Sequence, residues 1–213
     1  MNDIERRVMD VELRVVGDEG KKKIVGYAAV FDSWSEEMYG FREKIAPGAF
    51  RKTIRKADVR ALFNHDPNYV LGRTTNKTLK LKEDNTGLLM EVDPPDTQFA
   101  RDLMLQIDRG DITQQSFGFR TIKDEWNEDP KKNTTERTLV EVELFDVSPV
   151  TYPAYPDTQV ALRSLEEYRN NNPDPDAQGS EGNDADELQG HESAFRGRDL
   201  ELTKLDMEDS ING

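Results

Sequence analysis

ITQQSFGFRTIKDEWNEDPKKNTTERTLVEVELFDVSPV, residues 112–150, is the stretch whose reading decides the fold. Its two ends, 112–122 and 137–150, are rich in β-branched and aromatic residues and read as strands. The charged middle, DEWNEDPKKNTTE (124–136), reads as the loop between them. Just ahead, in TQFARDLMLQIDRG (97–110), Phe99, Leu103 and Ile107 recur every fourth residue and Gly110 stands at the expected stop. That pattern predicts a helix.

Working outward, VMDVELRVV (8–16) and KIVGYAAVF (23–31) predict a strand pair joined by the turn-rich GDEGKK. A polar loop follows, then Pro47 and Gly48, and AFRKTIRKA (49–57) predicts a short helix with Phe50 and Ile54 on one face. VRALFNHD (59–66) predicts a strand with a polar end, and Tyr69 to Val92 further strands turning at Asn85–Thr86–Gly87. A last helix is expected over 158–165. The expected class is α+β: a mostly antiparallel, barrel-like sheet with two or three inserted helices, and no βαβ alternation.

The acidity is uneven. The chain of 213 residues has a net charge of −14, and from Leu165 onward 14 acids face only 4 bases. NNNPDPDAQGSEGNDADE has too few apolar side chains to offset an ordering cost of about 1–2 kcal/mol per residue. The expected organisation is a folded domain over 1–165 and an acidic, largely disordered tail over 166–213. Within the tail, DLELTKLDME (199–208) reads as a fraying terminal helix or as a short docking element. The nearly neutral body speaks against nucleic-acid binding. No apolar run approaches the roughly 20 residues that span a bilayer, and MNDIERRVMD lacks the apolar core of a signal peptide. A soluble, intracellular protein without a membrane partner is expected.

With no cysteine, disulfides, thiol catalysis and Cys-based metal sites are excluded. Of two histidines, His191 lies in the tail and His65 ends a predicted strand. A lone histidine is more often a solvated or core residue than a catalytic one. It is a worse metal site, because zinc wants about three or four ligands and only carboxylates remain; neither metal nor cofactor is expected. A hydroxyl nucleophile needs a base, and the base a third group to orient it. Among the body serines, Ser116 stands out by lying in a strand near Gly118, which allows a backbone or substrate to approach closely. An ordinary strand serine fits the same spacing. Asp146, enclosed by Leu144, Phe145 and Val147, is either a partnered acid or an edge residue facing water. No G-x-S-x-G elbow is present, which disfavours a small-molecule esterase of the α/β-hydrolase type.

Five segments, in order, resemble the prohead (capsid maturation) serine protease family of tailed phages, itself similar in fold to herpesvirus assemblins. They are GYAAVFD (26–32), EKIAPGAF (43–50), ALFNHD (61–66) with Leu71-Gly72-Arg73, RGDITQQSFGF (109–119) and LFDVSPVTYPA (144–154). The resemblance runs from about residue 8 to 163. It implies Ser116 as nucleophile, His65 as general base and Asp146 as orienter, where relatives often carry Glu. It further implies cleavage of the scaffolding segment of the major capsid protein, or of a separate scaffold, and of the protease itself. The site of action would be the host cytoplasm, inside the prohead, with a homodimer allowed. A non-catalytic assembly factor that keeps the protease fold is the alternative. For the oxyanion donors, the loop over 148–155 and the turn near Arg73 are the candidates.

Overall fold

A computed structural model describes residues 4–18, 21–38, 40–129, 131, 134–152 and 159–173. The chain divides into the units Met1–Tyr168 and Arg169–Gly213, and every described strand belongs to the first. The expected tail over 166–213 begins inside the helix Gln159–Asn171, and beyond residue 173, with His191 and the 199–208 segment, it lies outside the described residues.

Ten strands and three helices follow in the order β1 (Glu5–Asp10), β2 (Leu13–Val16), β3 (Lys23–Val30), β4 (Arg42–Ile45), α1 (Thr53–Lys56), β5 (Arg60–Phe63), β6 (Asp66–Arg73), β7 (Leu79–Glu83), β8 (Gly87–Val92), α2 (Gln98–Arg109), β9 (Gln114–Asp129), β10 (Thr134–Val150) and α3 (Gln159–Asn171) among the described residues. They make two sheets. One is ordered β1-β9-β10-β5-β6, with β4 also on β10; the other is β2-β3-β8-β7. The barrel-like expectation is thus corrected: among the described residues neither sheet closes, because β1 and β6 remain edges of the first and β2 and β7 of the second. One apolar core draws on both sheets and on α2, with Phe117, Phe119, Leu144 and Val147 from the first and Ile24, Leu88 and Met90 from the second.

Several boundaries move for physical reasons. The predicted strand over 8–16 breaks in two, and the halves join different sheets: β1 pairs with β9 and β2 with β3. The charged segment 124–136 is mostly strand, since β9 and β10 continue as a ladder out to Asp129 and Thr134. Helix α1 is a single turn, and α3 runs past the expected end at 165. Helix α2 stands as expected, with Thr97 Oγ1 accepting from Ala100 N–H and Gly110 at φ +80° closing it.

Pairing along β10 is mixed. β9 is antiparallel along one side; β4 and then β5 lie parallel on the other. Between them the chain stays on β10: Ala46 N–H donates to Leu139 O (2.9 Å), Val142 N–H to Ala49 O (3.1 Å) and Leu144 N–H to Thr53 Oγ1 (3.0 Å). This continuous backbone satisfaction carries β5 to its place beside Asp146 and Val147.

A second anchor is a buried charge cluster that the sequence pattern does not reveal. Arg137 donates to Glu5 and to Glu43 (both 2.8 Å) and to Asp124 (2.7 Å), while Arg7 bridges Glu5 and Glu43 (both 2.8 Å). Arg137 and Glu5 are fully buried. Burial pushes the Glu5 carboxyl up, but Arg137, Arg7 and the Thr121 hydroxyl outweigh it and hold it below its usual range. Its stabilisation is therefore present above the unfolded carboxylate range and is lost as the pH falls through the lowered value. Arg137→Met should cost about 3–5 kcal/mol in urea unfolding, because Glu5, Glu43 and Asp124 each lose a cationic partner and Arg7 alone is left to balance the buried pair Glu5 and Glu43. An unchanged urea midpoint would refute that role.

Candidate active site

The nucleophile candidate sits in the middle of the first sheet. Ser116 on β9 lies opposite Val8 of β1 and Ser148 of β10, and it has no solvent exposure. Alternation puts Phe117 and Phe119 in the core and Ser116 and Gly118 on the other face.

Asp146 reaches that face through a β-bulge. Leu144 pairs with Phe119 in the core, the register then slips, and Asp146 pairs with Gly118. In a regular strand Asp146 would share the core face with Leu144; the extra residue, Phe145, turns it over. The missing side chain of Gly118 is what makes room. A Cβ there would lie 2.4 Å from Asp146 Oδ2, far inside contact distance.

His65 arrives from the other side of β10. β5 ends at Phe63, earlier than the predicted boundary at 66, and β6 begins at Asp66. The two residues between them, Asn64 and His65, have φ of +52° and +56°. Two left-handed residues closing a two-residue hairpin is the I′ pattern, which matches strand twist and which Asn and His tolerate better than most. Asn64 is pinned to the end of β10: its N–H donates to Pro149 O (3.0 Å) and its Oδ1 accepts from Thr151 N–H (2.9 Å). The imidazole is thereby aimed back across β10.

The three side chains form one hydrogen-bonded series. His65 Nδ1 lies 2.6 Å from Asp146 Oδ1, and His65 Nε2 lies 2.7 Å from Ser116 Oγ. A carboxylate only accepts, so the neutral ring carries its proton on Nδ1, and Nε2 is left to accept from the serine hydroxyl. Ser148, which no motif singled out as a site residue, donates its hydroxyl to the same Asp146 Oδ1 at 2.7 Å. Only its i+2 spacing from Asp146 pointed to it.

Among the described residues, the backbone N–H groups of Arg73 and Thr151 in the candidate oxyanion segments are both engaged within the fold. Arg73 is at the far end of β6 from His65; its N–H is bonded to Thr78 Oγ1 and its guanidinium to Asp58. Thr151 N–H is taken by Asn64, and residues 153–158 are outside the described residues. The Asp58 carboxyl at that far end is held down to about 2, first by its hydrogen bond from Arg73.

A hydroxyl, an imidazole and a carboxylate in series are the groups that a serine-hydrolase type of site requires. The family model described as Caudovirus prohead serine protease matches residues 9–171, and the chain belongs to that family. No curated protein and no solved structure matches it. Among the described residues no helix is long and apolar enough to cross a membrane.

Gly118→Ala tests the packing. The added methyl must displace the Asp146 carboxylate, so cleavage should fall by about 100-fold or more with the fold retained. Full activity in that variant would show that Asp146 need not lie over residue 118.

Proposed function

We propose that this chain is an active serine endopeptidase that trims a capsid assembly, with Ser116, His65 and Asp146 as its catalytic groups. What supports the reading is the unbroken Asp146–His65–Ser116 hydrogen-bonded series in a member of a prohead protease family. His65 Nε2 takes the Ser116 proton, and the alkoxide attacks the carbonyl carbon of the scissile peptide. Asp146 holds the ring in its working tautomer and stabilises the imidazolium. The amine leaves with the proton from Nε2, and water releases the acyl group by the same route. Since Ser116 has no solvent exposure, its neighbours must part before an extended polypeptide can approach within about 3–3.5 Å.

The substrate in this reading is the N-terminal scaffolding segment of the major capsid protein, or a separate scaffold, and the protease itself. The work is done inside the prohead. The body of the domain ends near residue 165, and the acidic tail beyond it serves as a packaging signal or a self-cleavable segment. The buried nucleophile also suits a second reading, a non-catalytic assembly factor that keeps the fold. Co-expression with the capsid protein separates the two. New termini on capsid protein and protease, mapped by mass spectrometry and absent with Ser116→Ala, are expected; capsid protein left intact by the unaltered chain would favour the assembly factor.

A further inference from the structure

Ser148 stands two residues beyond Asp146 on β10, directly across the ladder from Ser116, and is fully buried. Its hydroxyl proton goes to Asp146 Oδ1 at 2.7 Å, the same oxygen that receives the His65 Nδ1 proton at 2.6 Å. We infer that Ser148 is a positioning residue of this site: its hydroxyl fixes the Asp146 carboxylate in the orientation that meets His65. The inference rests on the proposed roles of Ser116, His65 and Asp146.

Constraint is the physical reason. The terminal torsion of an aspartate is broad and two-fold, so a single donor leaves the carboxylate free to swing or exchange its oxygens. Here two donors converge on Oδ1 from different elements, one from the β5–β6 hairpin and one from β10 itself. Oδ2 is seated over the bare Cα of Gly118. Hydroxyl, imidazole and glycine floor together leave one orientation. The bulge at Phe145 places Asp146 and Ser148 on the site face together, at the i, i+2 spacing that puts side chains side by side. A hydrogen bond to an ionised group, lost without replacement, weakens what it holds by more than a neutral one does.

The test uses the full chain acting on purified major capsid protein, with Ser148→Ala, Ser148→Thr and Ser148→Cys. Ser148→Ala should lower kcat about 10- to 100-fold and leave KM within about twofold, because the lost contact orients the base and does not bind substrate. Ser148→Thr keeps the hydroxyl and should recover most of kcat. Ser148→Cys, close in volume but a weak donor, should behave like Ser148→Ala; should the alanine protein not fold, the Thr and Cys pair makes the same comparison. The low-field proton resonance of His65 Nδ1–H, easily assigned in a chain with two histidines, should move upfield or broaden in Ser148→Ala and Ser148→Cys. An unchanged kcat, or a fall in kcat with that resonance unmoved, overturns the inference. Cleavage undiminished in a parallel Ser116→Ala protein would instead overturn the assignment of the nucleophile.

Discussion

Ser116→Ala should lower cleavage of the capsid protein by about six orders of magnitude, to the level that binding alone sustains. The substitution removes one oxygen, whose side-chain partner among the described residues is His65 Nε2. The cavity left is smaller than a water molecule, and the strand hydrogen bonds of β9 with β1 and β10 are untouched. Loss of activity should therefore come without loss of fold, and thermal unfolding should stay within a few degrees of the parent. His65 and Asp146 remain hydrogen-bonded to each other in the variant, so a base with nothing to deprotonate is left in place. Substrate affinity should persist, which makes this protein suitable for trapping uncleaved capsid protein. Cleavage at the parental rate by purified Ser116→Ala would remove the acyl-enzyme mechanism altogether.

How far this arrangement was legible in the sequence depends on which physical signal carried each part. Helix α2 was plain, because an apolar residue at every fourth position and a terminal glycine agree, and the Thr97 cap adds to them in the structure. The strands around Ser116 and Asp146 were plain as strands. Their extent was not: the charge density between 124 and 136 reads as a loop, yet it lies on the long β9–β10 ladder, where Asp124 of that segment pairs with Arg137. The start of β1 at Glu5, ahead of the strand expected over 8–16, was hidden by the buried partners of Arg7 and Glu5. A charged residue at an inward position reads as outward unless its counter-ion, 36 or 132 residues away, is known. The barrel expectation failed for a related reason, since turn spacing reports hairpins but not which strands end up as edges. At the site, Ser116 and His65 could be named, while the features that bring them together could not. The left-handed pair Asn64–His65 and the bulge at Phe145 are backbone events set by tertiary pairing, and a period of two is blind to both. Gly118 was singled out as a place where a backbone or substrate comes close, and what lies there is instead the carboxylate of Asp146.

Asp146→Asn is the second large effect, and its size depends on which way the amide turns. The substitution keeps shape and volume, so the fold should be unaffected. If the amide oxygen takes the place of Oδ1, it still accepts from Ser148 and from His65 Nδ1–H. The ring then keeps its working tautomer and loses only the negative charge that stabilises the imidazolium. If the amide nitrogen takes that place, it donates to Nδ1, the ring proton moves to Nε2, and the base faces Ser116 with nothing to accept. Ser148 does not forbid this second orientation, because its hydroxyl can accept as well as donate. A fall of about 10⁴-fold in kcat is therefore expected, as when a triad carboxylate becomes an amide elsewhere. KM should stay close to the parent, since Asp146 contacts the base and not the substrate. Combining Asp146→Asn with Ser148→Ala gives the sharper result. If Ser148 acts only through the carboxylate, the double variant should be no slower than Asp146→Asn alone, and the two effects will not add. Additive losses would mean that Ser148 serves the reaction by a separate route.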